Sequence, residues 1–221
     1  MAGSLKAYAP FLARRLGTTP AALYERQRAL VRDGILEHAE GRGPGSGVQV
    51  GPYQVALLLV AVLATDSLSE TSEKVRILAK AKSILDDGRC PLTGERTFVE
   101  AVARVLDMTR DHWRGIVSIK VHRTEGIGVI SYNEALRSGD SVFAGPKQRA
   151  QLWAPTRLKV DATLRRDLII DIATDLKTGA ETEQRARAAA LEGIADSEDQ
   201  MRPDGNRRHG KNPRVKRGKR P

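Results

Sequence analysis

Residues 12–36 read LARRLGTTPAALYERQRALVRDGIL, and this stretch sets the expected architecture of the first part of the chain. Its apolar residues recur with helical spacing on either side of Gly17, which predicts two short helices joined by a turn. Gly17 provides the positive φ that such a turn requires, Thr19 is placed to cap the second helix, and Pro20 suits its first position. The residues expected to face inward are Leu12, Ala13 and Leu16 on the first helix and Leu23, Leu30 and Val31 on the second.

A short β-hairpin, or wing, is expected directly after the second helix. Gly34 should end that helix, and Ile35-Leu36 should open a strand that pairs with residues 48–50. The glycine-rich loop 41–47 between them has neither the GxGxxG spacing nor the Gly-Lys-Ser/Thr ending of a phosphate-binding loop. We therefore interpret it as a wing tip whose Arg42 reaches a phosphate or a minor groove, with an inert linker as the alternative.

The stretch 12–36 resembles the winged helix-turn-helix domains of bacterial transcriptional regulators. The resemblance covers about the first fifty residues and implies that double-stranded DNA is the partner. The architecture suits a regulator from a phage or another mobile element. An ordinary helical hairpin packed into a core is the alternative. The framework positions that carry the resemblance are Leu12, Ala13, Gly17, Leu23, Leu30 and Gly34-Ile35-Leu36.

The second helix would present the DNA-binding residues on the face opposite Leu23. Arg28 could bond guanine with two hydrogen bonds, and Ala21 could touch a thymine methyl group. Glu25 must accept from a cytosine amino group or pair with an arginine. A plain solvated face is the alternative interpretation. The candidate DNA-binding residues are Thr18, Thr19, Ala21, Tyr24, Glu25, Arg28 and Arg32, with Arg42 in the loop.

The positive charge of the chain is concentrated at its C-terminal end. The net charge is +10, and residues 202–221 carry nine Lys or Arg and one acid. The tail 179–221 is expected to be weakly helical and then disordered, and to bind nucleic acid without reading sequence. RNA or an acidic protein is the alternative partner, and a solubilising role is also open. The residues expected to contact nucleic acid are Arg207, Arg208, Lys211, Arg214, Lys216, Arg217, Lys219 and Arg220.

The apolar run YQVALLLVAVLAT, residues 53–65, predicts a helix that is buried on most sides. Many winged-helix regulators dimerise through a helix placed just after the wing, so we expect a homodimer through Val55–Leu63. A central core helix is the alternative.

The remainder of the chain predicts a small α+β domain with an antiparallel sheet. Residues 1–10 are expected to form a short leading helix or arm that exposes Lys6 and Tyr8. The domain boundaries are placed at 1–51 for the winged helix, 52–178 for the α+β domain and 179–221 for the tail. Further helices are expected at 69–85 and 96–108, a hairpin at 116–121 and 127–132, a third strand at 156–161, and a last helix with Leu164, Leu168, Ile172 and Leu176 inward.

Catalytic and metal-binding patterns are absent from the sequence. Cys90 is the single cysteine, and it offers neither an internal disulfide nor a zinc-ligand set. His112 and His122 are separated by most of a strand, and Asp167, Asp171 and Asp175 are interpreted as a solvated helix face. We expect no enzymatic activity, no cofactor and no metal. The chain has no recognisable signal peptide or membrane span, so a cytoplasmic protein is expected.

The sequence therefore predicts a sequence-specific transcriptional regulator. Helix 19–33 would read the major groove, and loop 41–47 would contact the DNA backbone or the minor groove. Two alternatives stay open. One is a replication or segregation initiator that uses the same winged helix; the other is a non-enzymatic module that binds protein through its hairpin and RNA through its tail.

Overall fold

The computed structural model describes residues 4–37, 47–85, 87–108, 115–134, 137–151 and 159–179. Arg42 and the tail from residue 180 lie outside these ranges. Within them the protein is α+β, as predicted, and the ranges belong to one compact unit, residues 1–183. The helices are α1 Leu5–Leu16, α2 Pro20–Arg32, α3 Pro52–Ala64, α4 Thr71–Ala79, α5 Phe98–Asp107, α6 Pro146–Gln151 and α7 166–179; the strands are β1 Lys82–Ser83, β2 Ile116–His122, β3 Ile127–Glu134, β4 Arg137–Ala144 and β5 Asp161–Arg165.

The turn between α1 and α2 forms as the sequence predicts. Gly17 has a φ of 64°, and its N–H bonds to carbonyls in the last turn of α1. The Thr19 hydroxyl accepts a hydrogen bond from the amide of Ala22 at 3.2 Å, and Pro20 occupies the first turn. Leu12 and Leu23 are fully buried, which confirms the predicted inward faces.

α1 begins earlier than expected, because the leading arm and the first predicted helix are one continuous helix. Tyr8, expected at the surface, is therefore only 4% exposed. Leu5, Tyr8 and Leu12 recur at helical spacing and share one buried face. The Tyr8 hydroxyl donates to the carbonyl of Ile172 on α7 at 3.5 Å, and burial raises its pKa above the ordinary value of 10.0.

The predicted strand at Ile35-Leu36 does not form. Gly34 adopts a left-handed φ of 67°, which turns the chain back over the end of α2. The amides of Ile35 and Leu36 then both donate to the Leu30 carbonyl, at 2.8 and 3.2 Å. Residues 48–50, the other expected strand, instead hold the start of α1: Gln49 forms an antiparallel bridge with Ser4. Of the expected wing tip, residues 41–47, only Gly47 lies within the described residues.

α3 is a core helix. Nine of its thirteen residues are buried, each with 4% or less of its surface exposed. The helix packs against α2, α4, α5 and β2 of the same chain, so its apolar surface is already covered. It is therefore not the homodimer interface that we predicted, and dimerisation stays a prediction without an assigned surface. The same core also contains Leu12 and Leu23, so residues 1–51 and 52–178 pack together.

The five strands form one antiparallel sheet with the order β1-β4-β3-β2-β5. The predicted hairpin is present as β2 and β3, with Gly126 at a φ of 69° in its turn. The third predicted strand is displaced to β5, so Leu164 belongs to a strand and not to the last helix. Helix 69–85 was predicted too long, because α4 ends at Ala79 and Lys82–Ser83 pairs with β4.

The helical layer lies closely against one face of the sheet. Phe98 at the start of α5 packs against Phe143 on β4, with ring centroids 5.5 Å apart. A Cβ atom added at Gly128 on β3 would come within 2.5 Å of the Phe98 ring. Gly128 is therefore required by the close approach of α5.

Candidate nucleic-acid interface

The outer face of α2 carries the candidate DNA-binding residues into solvent. The side chains of Arg28 and Arg32 are 64% and 75% exposed. Ala21 and Glu25 are also exposed, and Tyr24 is half-buried. The structure therefore brings these predicted residues together on one surface, which we call the α2 ridge: Ala21, Tyr24, Glu25, Arg28 and Arg32.

Both arginines of the α2 ridge form ion pairs within the protein. Arg28 Nη1 lies 3.0 Å from Glu25 Oε1, so Glu25 pairs with an arginine, one of the two roles open to it. Arg32 Nε lies 3.1 Å from Asp33 Oδ1. A hydrogen bond from Ser72 and the bond from Arg32 lower the pKa of Asp33. Exposed pairs of this kind contribute little stability, so each guanidinium is free to exchange its carboxylate for another acceptor.

The α2 ridge stands between two open depressions. On one side, the Leu68 groove has a volume of about 540 Å³ and is lined by Glu25, Arg28, Ala29, Arg32, Leu68 and Ser69. On the other side, the Lys6 pocket has a volume of about 410 Å³ and lies between the start of α1, α2 and residues 47–48. Because both flanks are open, a partner could surround the outer face of the helix.

The threonines before α2 are less available than the sequence suggested. Thr19 is exposed, but its hydroxyl is engaged in capping the helix. Thr18 is half-buried, and its amide donates to the Ala13 carbonyl at 3.0 Å. Pro20 has no N–H, and the amides of Ala22 and Leu23 already donate to Thr19. This helix end therefore offers a phosphate little beyond the Ala21 amide.

Two polar residues on the inner side of α2 were missed. Arg26 and Gln27 are 8% and 7% exposed. They lie three and four residues after Leu23, so helical periodicity places them on the buried face, and that signal was present in the sequence. Arg26 Nη2 donates to the carbonyls of Thr65 and Asp66, at 3.2 and 3.3 Å.

Lys6 was also missed as a member of this surface. Its ammonium lies 5.2 Å from the centroid of the Tyr24 ring, within cation–π distance. It is one of the residues that line the Lys6 pocket. No sequence pattern indicates this pairing, because it depends on how α1 crosses α2.

Three of the other titratable residues considered in the sequence, Asp171, Asp175 and His122, have structural partners. Asp171 and Asp175 on α7 bind Arg15 on α1, with Nη1 of Arg15 2.5 Å from Asp171 Oδ2. His122 Nδ1 lies 2.6 Å from Asp161 Oδ1 across β2 and β5. Asp167 is exposed, and His112 lies outside the described residues. No group of three His, Cys, Asp or Glu in the described ranges is arranged to hold a metal ion.

Comparison with known proteins adds no assignment. No family model, curated protein or solved structure matches this chain. Among the described residues, no helix is long and apolar enough to cross a membrane.

Proposed function

We propose that this protein binds double-stranded DNA sequence-specifically, as a transcriptional regulator, with α2 as its reading helix. The observation that carries the proposal is the α2 ridge, where Arg28 and Arg32 project into solvent between two open depressions. The major groove is about 12 Å wide and admits an α-helix whose flanks are clear. Arg28 would contact a base edge, and Arg32 would follow the groove toward the phosphates.

The packing behind α2 supports a rigid reading helix. Leu23 and Leu30 are fully buried beneath it, and Arg26 ties it to the end of α3. Base recognition needs side chains held in fixed positions, and sites built on packed helices achieve this better than sites on loops. The helix therefore has the support that direct base contacts require.

The positive charge supports a polyanionic partner. The chain has a net charge of +10, and most of that excess lies in residues 202–221. Lys and Arg near a duplex release counterions and raise affinity for any sequence. In the proposal, α2 provides specificity, while the tail and Arg42 of loop 41–47 contact the DNA backbone or the minor groove.

Selection of duplex sites from a random pool tests the proposal, using the chain with and without residues 179–221. Enrichment of a short palindrome supports a regulator, clustered direct repeats favour the initiator, and no enrichment overturns sequence-specific binding. The variant Arg28→Ala with Arg32→Ala should lose the enrichment. The control with the same loss of charge is Arg14→Ala with Lys80→Ala, because both residues are exposed outside the α2 ridge.

A further inference from the structure

We infer that the Lys6 pocket binds a single nucleotide unit, with its phosphate on the basic side chains and its base against Tyr24. The pocket shares Tyr24, Arg28 and Arg32 with the α2 ridge. The inference goes beyond duplex reading because it depends on Lys6 and Gln27, which lie outside the ridge. It needs no prior assumption about the duplex, so either proposal can fail alone.

The first observation is the charge of the pocket. Lys6, Arg28 and Arg32 line it, and none of the described residues that line it is acidic. The Leu68 groove on the other side of α2 has two arginines and one glutamate. The Lys6 pocket is therefore the more positive flank of α2, and an anionic group is the natural complement of its lining.

The second observation is the aromatic ring. Tyr24 is half-buried and lines the pocket, and the Lys6 ammonium lies 5.2 Å from its ring centroid. The ammonium lies over the ring, so a base that stacks on this face of Tyr24 takes its place while Lys6 turns to the phosphate. Nucleic-acid bases stack on tyrosine rings without needing a particular base, while neighbouring cations hold the phosphate. A simple inorganic anion would bind the Lys6 ammonium but make no contact that requires the Tyr24 ring.

The third observation is a buried amide. Gln27 lines the pocket, is only 7% exposed, and its Oε1 accepts no hydrogen bond from the described residues. A buried carbonyl without a donor is unfavourable. Because Oε1 has almost no accessible surface, it can accept from a ligand only when the Gln27 side chain rotates into the pocket that it lines. Adenine is a base to which a glutamine amide forms paired hydrogen bonds. An adenine nucleotide is therefore the probe of choice.

The volume agrees with a ligand of this size. About 410 Å³ lies within the range of roughly 300–1,000 Å³ that small-molecule sites occupy. One nucleotide therefore has room in the pocket.

The experiment measures binding to the full-length protein by equilibrium dialysis. The probes are deoxyadenosine 5′-monophosphate, inorganic phosphate and deoxyadenosine. We expect the nucleotide to bind at least about tenfold more tightly than phosphate or nucleoside alone, because the pocket holds both parts of the ligand. Equal binding of phosphate and nucleotide would reduce the pocket to an anion site and overturn the inference. Absence of nucleotide binding at millimolar concentration would also overturn it.

Four variants assign the roles of the residues. Lys6→Met and Gln27→Met should each weaken nucleotide binding about tenfold. Tyr24→Leu should do the same, whereas Tyr24→Phe keeps the ring and should bind as the wild type does. Circular dichroism checks that each variant is folded. If Gln27→Met does not fold, the comparison of Tyr24→Leu with Tyr24→Phe still tests the inference. If Lys6→Met, Gln27→Met and Tyr24→Leu all bound the nucleotide as tightly as the wild type, the nucleotide would bind elsewhere and the inference would be overturned.

A final arm separates the two sources of a nucleotide. A single-stranded deoxyadenosine tetranucleotide is compared with the monophosphate in the same dialysis. Tighter binding of the tetranucleotide, with loss in the Lys6→Met variant, indicates that the pocket captures one unit of a strand. Equal affinity indicates a free nucleotide as the ligand. Either result supports the nucleotide pocket. The inference is overturned if the tetranucleotide and the monophosphate both bind more weakly than inorganic phosphate.

Discussion

Arg26, on the inner side of α2, donates through Nη2 to the Thr65 carbonyl at 3.2 Å, at the C-terminal end of α3. Arg123, after β2, meets the same helix end, where it donates to the Leu63 carbonyl at 2.8 Å and binds the Asp66 carboxylate. Two guanidinium groups thus satisfy carbonyls at the negative end of the α3 dipole. Helix α2 is thereby tied to the central helix of the core.

Replacement of Arg26 should destabilise the protein although Arg26 makes no proposed DNA contact. Arg26→Ala removes charged donors from buried carbonyls and leaves a void, which should cost about 2–4 kcal/mol of unfolding free energy. Urea denaturation measures the change. Arg14→Ala, at an exposed position on α1, is the control and should change stability by less than about 0.5 kcal/mol. Equal effects of the two variants would contradict the structural role of Arg26.

Leu58 tests whether α3 is a core helix or an interface helix. Leu58 is fully buried by its own chain, so Leu58→Ala should cost about 2–5 kcal/mol. Any dependence of the denaturation midpoint on protein concentration should be the same in the wild type and in Leu58→Ala, because α3 is not expected at a protomer interface. Leu85→Ala is the control, because Leu85 is 37% exposed. If the denaturation midpoint of the wild type rose with protein concentration and that of Leu58→Ala did not, α3 would have to lie at a protomer interface.

Tyr8 should make the protein sensitive to high pH. Burial first, and then the nearby Asp175 carboxylate, raise the pKa of Tyr8 above its ordinary value of 10.0. Because the folded pKa is raised, the stabilisation is fully present below pH 10.0 and is lost as the pH rises above it.

The Tyr8→Phe variant should therefore lose less stability than the wild type above pH 10.0, as measured by urea denaturation at several pH values. At pH 7 the variant should cost about 0.5–1.5 kcal/mol, because it lacks one weak hydrogen bond to Ile172. Tyr132→Phe serves as the control, since Tyr132 is more exposed than Tyr8. Identical alkaline profiles for the wild type and Tyr8→Phe would contradict the assignment.

Arg28 should contribute to the difference in affinity between the specific duplex and other duplexes. Arg28→Ala should cost about 1–3 kcal/mol at the specific duplex and relax the base preference there, while the fold stays intact. Fluorescence anisotropy with specific and scrambled duplexes gives both affinities. If both fell equally, Arg28 would be a phosphate contact. Glu25→Gln, which removes the partner carboxylate 3.0 Å from Arg28, should not reduce affinity.

The tail should provide affinity without specificity. Deletion of residues 202–221 removes nine Lys or Arg and lies outside the compact unit 1–183. Binding to every duplex should weaken, and the dependence of log affinity on log salt should flatten by about 0.9 for each phosphate that the tail no longer neutralises. The ratio of specific to scrambled affinity should change little. An unchanged salt slope would favour RNA or an acidic protein as the partner of the tail.

The elements that were predictable from the sequence depend on local physical chemistry. The turn at Gly17 needs a positive φ, the Thr19 cap needs a hydroxyl beside free amides, and the β2–β3 hairpin alternates around Gly126. Each of these is set by a few neighbouring residues, so the sequence alone determined them. The burial of Arg26 and Gln27 belongs here too, because their spacing from Leu23 already placed them inward.

The tertiary structure decided the features that depend on distant partners. Strand β4 carries Ser138, Gly139 and Asp140 and lacks a local strand signal, and its register is supplied by β3 and β1. Residues 48–50 were expected to pair with Ile35-Leu36, but Gln49 bridges Ser4 at the start of α1 instead. The Lys6 pocket likewise exists only because α1 crosses beside α2. Pairing between segments far apart in the chain is determined by the packing of the whole core, which no local pattern contains.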